Sequence, residues 1–153
     1  MSGISHPVSE EPEVRSGLLE SLIGYGLRRA TSRMTADFMT AMADLGIRPV
    51  QFALLAMARE NPGINQTSLG RSLGIQRANL VPLLNELRLR GLIERRPAPT
   101  DRRAFALYIS KAGDALLREA ERRVRVHEER ILSRLGAGER ETLRGLLDRI
   151  RAD

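Results

Sequence analysis

Ile64-Asn65-Gln66-Thr67-Ser68-Leu69-Gly70-Arg71-Ser72-Leu73-Gly74-Ile75 opens the stretch that decides the fold, and that stretch runs on to Ser110. Leu69 and Leu73 stand four apart, the spacing of one helix face. Asn65 suits the helix N-cap, and Gly74 suits the left-handed residue that closes a helix. A second helical run follows, with Leu80, Leu83, Leu84 and Leu87 along one side and Leu92 and Ile93 after Gly91. Two short helices across a tight glycine turn predict a helix-turn-helix, whose second helix is the usual reader of the DNA major groove. Next come Ile93-Glu94-Arg95-Arg96, a turn at Pro97-Ala98-Pro99-Thr100-Asp101, and Arg102-Arg103-Ala104-Phe105-Ala106-Leu107-Tyr108-Ile109. Phe105, Leu107 and Ile109 alternate with Ala104, Ala106 and Tyr108, the period of a half-buried strand. Helix, turn, helix and an arginine-tipped hairpin spell a winged helix-turn-helix in a mainly α (α+β) chain.

Residues 1–13 carry Gly3, Pro7, Pro12, several serines and three glutamates without an apolar period, which predicts a flexible tail. From Val14 to Leu45, Leu19, Ile23, Leu27, Ala30, Met34, Phe38, Met42 and Leu45 recur at spacings of three and four. One long helix is expected, weakened by Gly24 and Gly26, a pair that suggests close packing or a bend, and ended by Gly46. Pro49 fits the first turn of a further helix carrying Phe52, Leu55, Ala56 and Met57. Beyond the wing, Leu117, Ala120, Val124, His127 and Ile131 form a coiled-coil-like seam, a break is expected at Gly136-Ala137-Gly138, and Leu143, Leu146, Leu147 and Ile150 line a last helix. Residues 14–153 therefore read as one domain, with 49–110 the winged helix-turn-helix and 14–48 and 111–153 surplus apolar helices. Such flanking helices predict a two-fold homodimer interface; the alternative is an intramolecular three-helix pack.

The 153 residues carry a net charge of +6, and Lys111 is the single lysine among 25 basic residues. Arginine forks phosphates and guanine edges better than lysine, so this balance favours a nucleic-acid partner, although a GC-rich genome would also enrich arginine. Between Arg71 and Arg103 eight arginines face Glu86, Glu94 and Asp101, which concentrates most of the charge in the reader. The absence of cysteine excludes a disulfide, a thiolate metal site and a cysteine redox switch. No run approaches the ~20 apolar residues of a membrane span and no signal-peptide core follows Met1, so a soluble cytoplasmic protein without membrane partners is expected. Two histidines without a nucleophile, a phosphate loop or a metal cluster make an enzyme and a bound cofactor unexpected.

On the second helix Gln76, Arg77 and Asn79, with Val81 and Asn85 beyond, are the residues turned toward a groove; Arg can bond G and Gln or Asn can bond A. Thr67 and Ser68 suit phosphate oxygens at a helix N-terminus. Arg95, Arg96, Arg102 and Arg103 bracket the proline turn, where one can enter a minor groove, with Asp101 orienting a neighbour. Pro82 predicts a kink or a loosened first turn. His127, on an apolar seam, is expected to be a packed interface residue. A non-specific architectural nucleic-acid-binding protein would use the same basic surface without sequence preference.

These residues resemble the MarR family of bacterial transcriptional regulators. The resemblance is carried by Gly46-Ile47-Arg48-Pro49-Val50-Gln51-Phe52, by Asn65-Gln66-Thr67-Ser68-Leu69-Gly70, and most strongly by Leu87-Arg88-Leu89-Arg90-Gly91-Leu92-Ile93-Glu94-Arg95-Arg96 leading to Asp101-Arg102-Arg103-Ala104-Phe105-Ala106-Leu107-Tyr108-Ile109-Ser110. Arg48 and Gln76 depart from it, standing where the family often has Thr and Ser or Asp caps. The resemblance implies a homodimer on a pseudo-palindromic double-stranded DNA operator, usually a repressor, released by a small molecule. Phenolic or other aromatic compounds, or aromatic acyl-CoA thioesters, are the effectors it implies. The corresponding pocket would draw on Tyr25, Arg28, Arg29, Phe38, Phe52 and Met57, alongside Ile23 and Leu27. Tyr25 and an arginine would hold a phenol or carboxylate. Cysteine-based oxidant sensing, used by some relatives, has no counterpart here.

Overall fold

A computed structural model describes residues 17–97 and 105–152. The elements run α1 (Leu18–Ser21), α2 (Ile23–Ala41), a 3₁₀ turn (Ala43–Leu45), α3 (Pro49–Glu60), β1 (Ile64–Asn65), α4 (Gln66–Ser72), α5 (Arg77–Leu89), β2 (Ile93–Pro97), β3 (Phe105–Ile109), α6 (Lys111–Ile131) and α7 (Ala137–Arg151). The chain divides into two compact units, one ending at Arg33 and one beginning at Met34. Among the described residues no helix is long and apolar enough to cross a membrane.

In the first unit, the single long helix expected from Val14 is interrupted. Leu22 is extended (φ −90°, ψ 119°) and separates α1 from α2. Its carbonyl accepts the N–H groups of Tyr25 and Gly26 at 3.1 and 3.2 Å, so it starts a new helix rather than continuing the old one. The apolar spacing survives the break, which is why periodicity did not reveal it. Gly24 and Gly26 lie inside α2, where a Cβ on either would touch nothing within 4 Å among the described residues, so neither marks close packing against them.

In the second unit the core gathers Phe38, Met42, Ile47, Leu54, Leu55, Leu69, Leu80, Leu87, Leu107 and Leu117, all buried. The sheet is antiparallel in the order β1-β3-β2, with Leu107 opposite both Ile64 and Arg95. Ile64 belongs to the sheet, not to a helix. Asn65 (φ −81°, ψ 156°) has the extended backbone that an N-cap takes, and so both ends β1 and caps α4. The wing alternation is also corrected: Ala106 and Leu107 are both buried, while Phe105 is 48% exposed. Ala106 and Leu107 lie in the middle of β3, flanked by β1 on one edge and β2 on the other, whereas Phe105 sits at the hairpin end opposite Pro97.

The seam on α6 is spent inside the chain. Leu117, Ala120 and His127 are buried, and α6 packs on α3. Arg59 on α3 donates to Glu121 at 3.0 Å. Arg123 reaches Asp44 at 2.9 Å and Glu119 at 2.7 Å. His127 is 2.5 Å from Asp37, which also accepts from Arg130 at 2.7 Å, and its ring meets Phe38 edge-on. The Arg59 guanidinium holds the Glu121 carboxyl below the usual carboxylate range, and Arg130, then His127, do the same for Asp37. His127 is thus packed against its own chain. α6 stops at Ile131, earlier than the glycines suggested; Gly136 caps α7, and Ala137 and Gly138 already belong to that helix.

Candidate nucleic-acid interface

The helix-turn-helix is built by local rules. Asn65 Oδ1 accepts the Ser68 N–H at 2.8 Å. Gly74 takes φ 63°, a left-handed conformation that costs an ordinary residue about 1 kcal/mol or more. The chain then returns so that Ile75 N–H bonds the Gly70 carbonyl at 2.8 Å. Removing the cap by Asn65→Ala should lower stability by about 1 kcal/mol, measured by denaturant unfolding.

Arg48, the N-cap of α3, makes no side-chain cap bond there, and its own N–H and side chain are engaged by other partners. Gln51 Oε1 accepts the Arg48 backbone N–H at 3.1 Å, and the Gln51 side-chain amide donates to Glu86 of α5 at 2.9 Å. The Arg48 guanidinium pairs with the same Glu86 carboxylate. Arg90 donates to the carbonyls of Gly46 and Leu45 at 2.6 and 2.8 Å. The C-terminal half of the recognition helix is therefore bolted to the loop before α3.

α5 begins at Arg77, with extended Gln76 as N-cap lacking a side-chain cap bond. Pro82 lies in its second turn, and the helix continues through it to Leu89 rather than breaking. The first turn is mixed: the Gln76 carbonyl accepts from both Asn79 and Leu80 at 3.0 Å. Leu80, Leu84 and Leu87 face the core, so Val81, Pro82 and Asn85 form the outward ridge, all exposed. At 3.6 residues per turn, Arg77 and Asn79 fall about 160° apart, on opposite flanks of that ridge. Asn79 shares its flank with Glu86. Arg77 shares its flank with Arg88, on the side of the wing.

That flank closes a groove of about 580 Å³ lined by Gln66, Thr67, Arg71, Arg77, Arg95 and Phe105, among others. Gln66 Nε2 is buried there with no hydrogen-bond partner among the described residues. Thr67 and Ser68 are exposed on the first turn of α4. In the wing, Arg95 and Arg96 are consecutive in β2 and so project from opposite faces. The Arg95 guanidinium lies 4.3 Å from the centroid of Phe105, and that of Arg96 lies 4.6 Å from Tyr108. Arg96 also donates to Glu94 at 2.7 Å. Asp101, Arg102 and Arg103 lie outside the described residues. Sequence reasoning did not single out Arg71, Arg88, Phe105 or Tyr108 as site residues, because their roles depend on how the wing folds beside α5.

The effector candidates fall into two sets. In the first unit Tyr25 is half-buried beneath Arg28 and Arg29, whose guanidinium carbons stand 4.9 and 6.0 Å from its ring centroid. In the second unit Phe38 is buried edge-on against Phe52 at 6.1 Å, and Phe52 and Met57 are half-buried against the core. A separate cleft of about 230 Å³ is lined by Ala41, Arg122, Arg123, Val126, His127 and Arg130, none of them among those candidates.

A two-helix reader followed by a two-stranded wing, with arginines between them, defines a winged helix-turn-helix of the kind found in transcriptional regulators. The model of the MarR family matches residues 47–105. A putative transcriptional regulatory protein for the hcr operon of Thauera aromatica is 32% identical over 143 residues, covering 93% of this chain and 86% of that one. The repressor CouR, solved bound to a 23-mer DNA duplex, is 38% identical with a TM-score of 0.87, over 92% of this chain and 100% of that one. CouR bound to p-coumaroyl-CoA is 36% identical with a TM-score of 0.85, over 92% and 99%. The chain belongs to the MarR family of transcriptional regulators.

Proposed function

We propose that the protein is a homodimeric, sequence-specific repressor that leaves a pseudo-palindromic operator when an aromatic acid or aromatic acyl-CoA thioester binds. The observation that carries this reading is the recognition helix itself, with an exposed ridge of Val81, Pro82 and Asn85 and an arginine groove between it and the wing. Gln76, Arg77, Asn79 and Asn85 contact bases, while Thr67, Ser68, Arg95 and Arg96 hold the phosphate backbone. Arg102 and Arg103, oriented by Asp101, extend the wing contact. Two copies related by two-fold symmetry place their recognition helices about 34–36 Å apart, one turn of DNA. Apolar side chains left exposed on the single chain support pairing: Leu18, Leu19, Leu22 and Ile23 in the first unit, and Leu146, Leu147 and Ile150 on α7 in the second. The effector class is supported by the relatives bound to p-coumaroyl-CoA, and Tyr25, Arg28, Arg29, Phe38, Phe52 and Met57 are assigned to holding it. Such a regulator works in the cytoplasm, beside the chromosome.

Fluorescence anisotropy tests this reading on labelled DNA from upstream of the protein's own gene, against a scrambled duplex, at several salt concentrations. A preference of about 10³-fold or more is expected, with release on addition of p-coumaroyl-CoA and not of free CoA. Equal binding to both duplexes, collapsing together with salt, would overturn sequence-specific recognition in favour of a phosphate-only binder. Tight operator binding indifferent to a panel of aromatic acids and their CoA thioesters would overturn the effector assignment.

A further inference from the structure

The geometry points to Phe105 as a positioning residue for DNA binding, whose ring holds the Arg95 guanidinium on the wing side of the groove, across from Arg71 and Arg77, ready for a backbone phosphate. The inference rests on the reading of Arg95 as a DNA contact. Three observations carry it. Phe105 is 48% exposed, which leaves its ring and the guanidinium beside it accessible from solvent. The Arg95 guanidinium carbon lies 4.3 Å from its centroid, well within the range of a cation–π contact. Both residues line the groove that also holds Arg71 and Arg77.

The strand register explains the contact. Arg95 is opposite Leu107 and Phe105 is opposite Pro97, so Arg95 and Phe105 are diagonal neighbours on one face of the β2–β3 ladder. An arginine on an exposed strand would otherwise sample many rotamers, and ordering it on binding costs entropy. The ring removes part of that cost in advance while leaving the N–H edges of the guanidinium available to phosphate oxygens. Tyr108 plays no equivalent part: the arginine over it, Arg96, is on the opposite face and already donates to Glu94.

The test is a double-mutant cycle on full-length protein, with Arg95→Ala, Phe105→Leu, the combination, and Phe105→Trp as the variant that keeps a π face. The probe is a labelled duplex of mixed sequence, since a phosphate contact is independent of sequence. Affinity is read by anisotropy between about 50 and 200 mM salt. Arg95→Ala should weaken binding and reduce the salt slope by about 0.9. Phe105→Leu should weaken binding about two- to fivefold, the range of an exposed cation–π contact, while the thermal melt stays close to wild type. Phe105→Trp should restore wild-type affinity, and the combination should bind no more weakly than Arg95→Ala alone. The inference is overturned if Phe105→Leu binds like wild type while Arg95→Ala does not, or if the two losses multiply, which would make the ring itself the DNA contact. Wild-type affinity and slope for Arg95→Ala would instead remove Arg95 from the interface, and with it the reading on which the inference stands.

Discussion

Gly113→Ala is expected to destabilise the protein by about 3 kcal/mol, at the upper end for an overpacked core site. Gly113 is buried in the first turn of α6, where a Cβ would overlap the Leu92 carbonyl oxygen and stand 3.0 Å from Ile109 Cγ1. A flexible side chain could move aside; a backbone carbonyl cannot without shifting its strand. That carbonyl is moreover committed, accepting the Ser110 N–H at 3.0 Å. Ser110 completes the junction: its hydroxyl donates to the Gly91 carbonyl at 2.6 Å and accepts the Gly113 N–H at 2.9 Å. The end of the recognition helix, the start of the wing and the start of α6 therefore meet at one backbone crossing. Against the 5–15 kcal/mol total of an ordinary domain, about 3 kcal/mol is a large fraction. Urea unfolding of the two proteins measures it, and a midpoint unchanged by the substitution would show that the crossing yields.

Arg77→Ala should weaken operator binding by about 5- to 150-fold, the 1–3 kcal/mol range of a good bidentate base contact. Arg77 is exposed on the first turn of α5, so its loss should leave the thermal melt unchanged. Two features set it above its neighbours. It faces the arginine groove, whereas Asn79 lies on the opposite flank with Glu86, which is already engaged by Arg48 and Gln51. It also precedes Pro82, whose missing N–H loosens the ladder behind it and lets the first turn adjust to the groove. Base reading by Arg77 predicts that preference relaxes at one base pair per half-site, as scored with single-substitution duplexes. An equal loss on operator and scrambled DNA would show a phosphate contact in its place.

Much of the reader was legible along the chain because its determinants are local. Asn65, Leu69, Leu73 and Gly74 are a cap, a face and a stop within ten residues, and all four act as such. Leu80, Leu84 and Leu87 marked the buried face of α5, and with it the exposure of Gln76, Arg77, Asn79 and Asn85. The break at Leu22 was invisible because an apolar period runs through it unchanged. The Phe105 alternation misled because a two-period pattern does not show where along a strand the core stops, and Phe105 lies at the hairpin end opposite Pro97.

The sequence by itself determined the winged helix-turn-helix, its order and its basic charge, since each follows from period, capping and turn residues acting over a few positions. Only the tertiary structure decided which side chain each charged residue meets. Arg48 meets Glu86 across 38 positions and His127 meets Asp37 across 90, while Arg95 finds Phe105 only because β2 and β3 pair in one particular register. Charge pairs, ring stacking and carbonyl crossings depend on distance in space, which local periodicity does not encode.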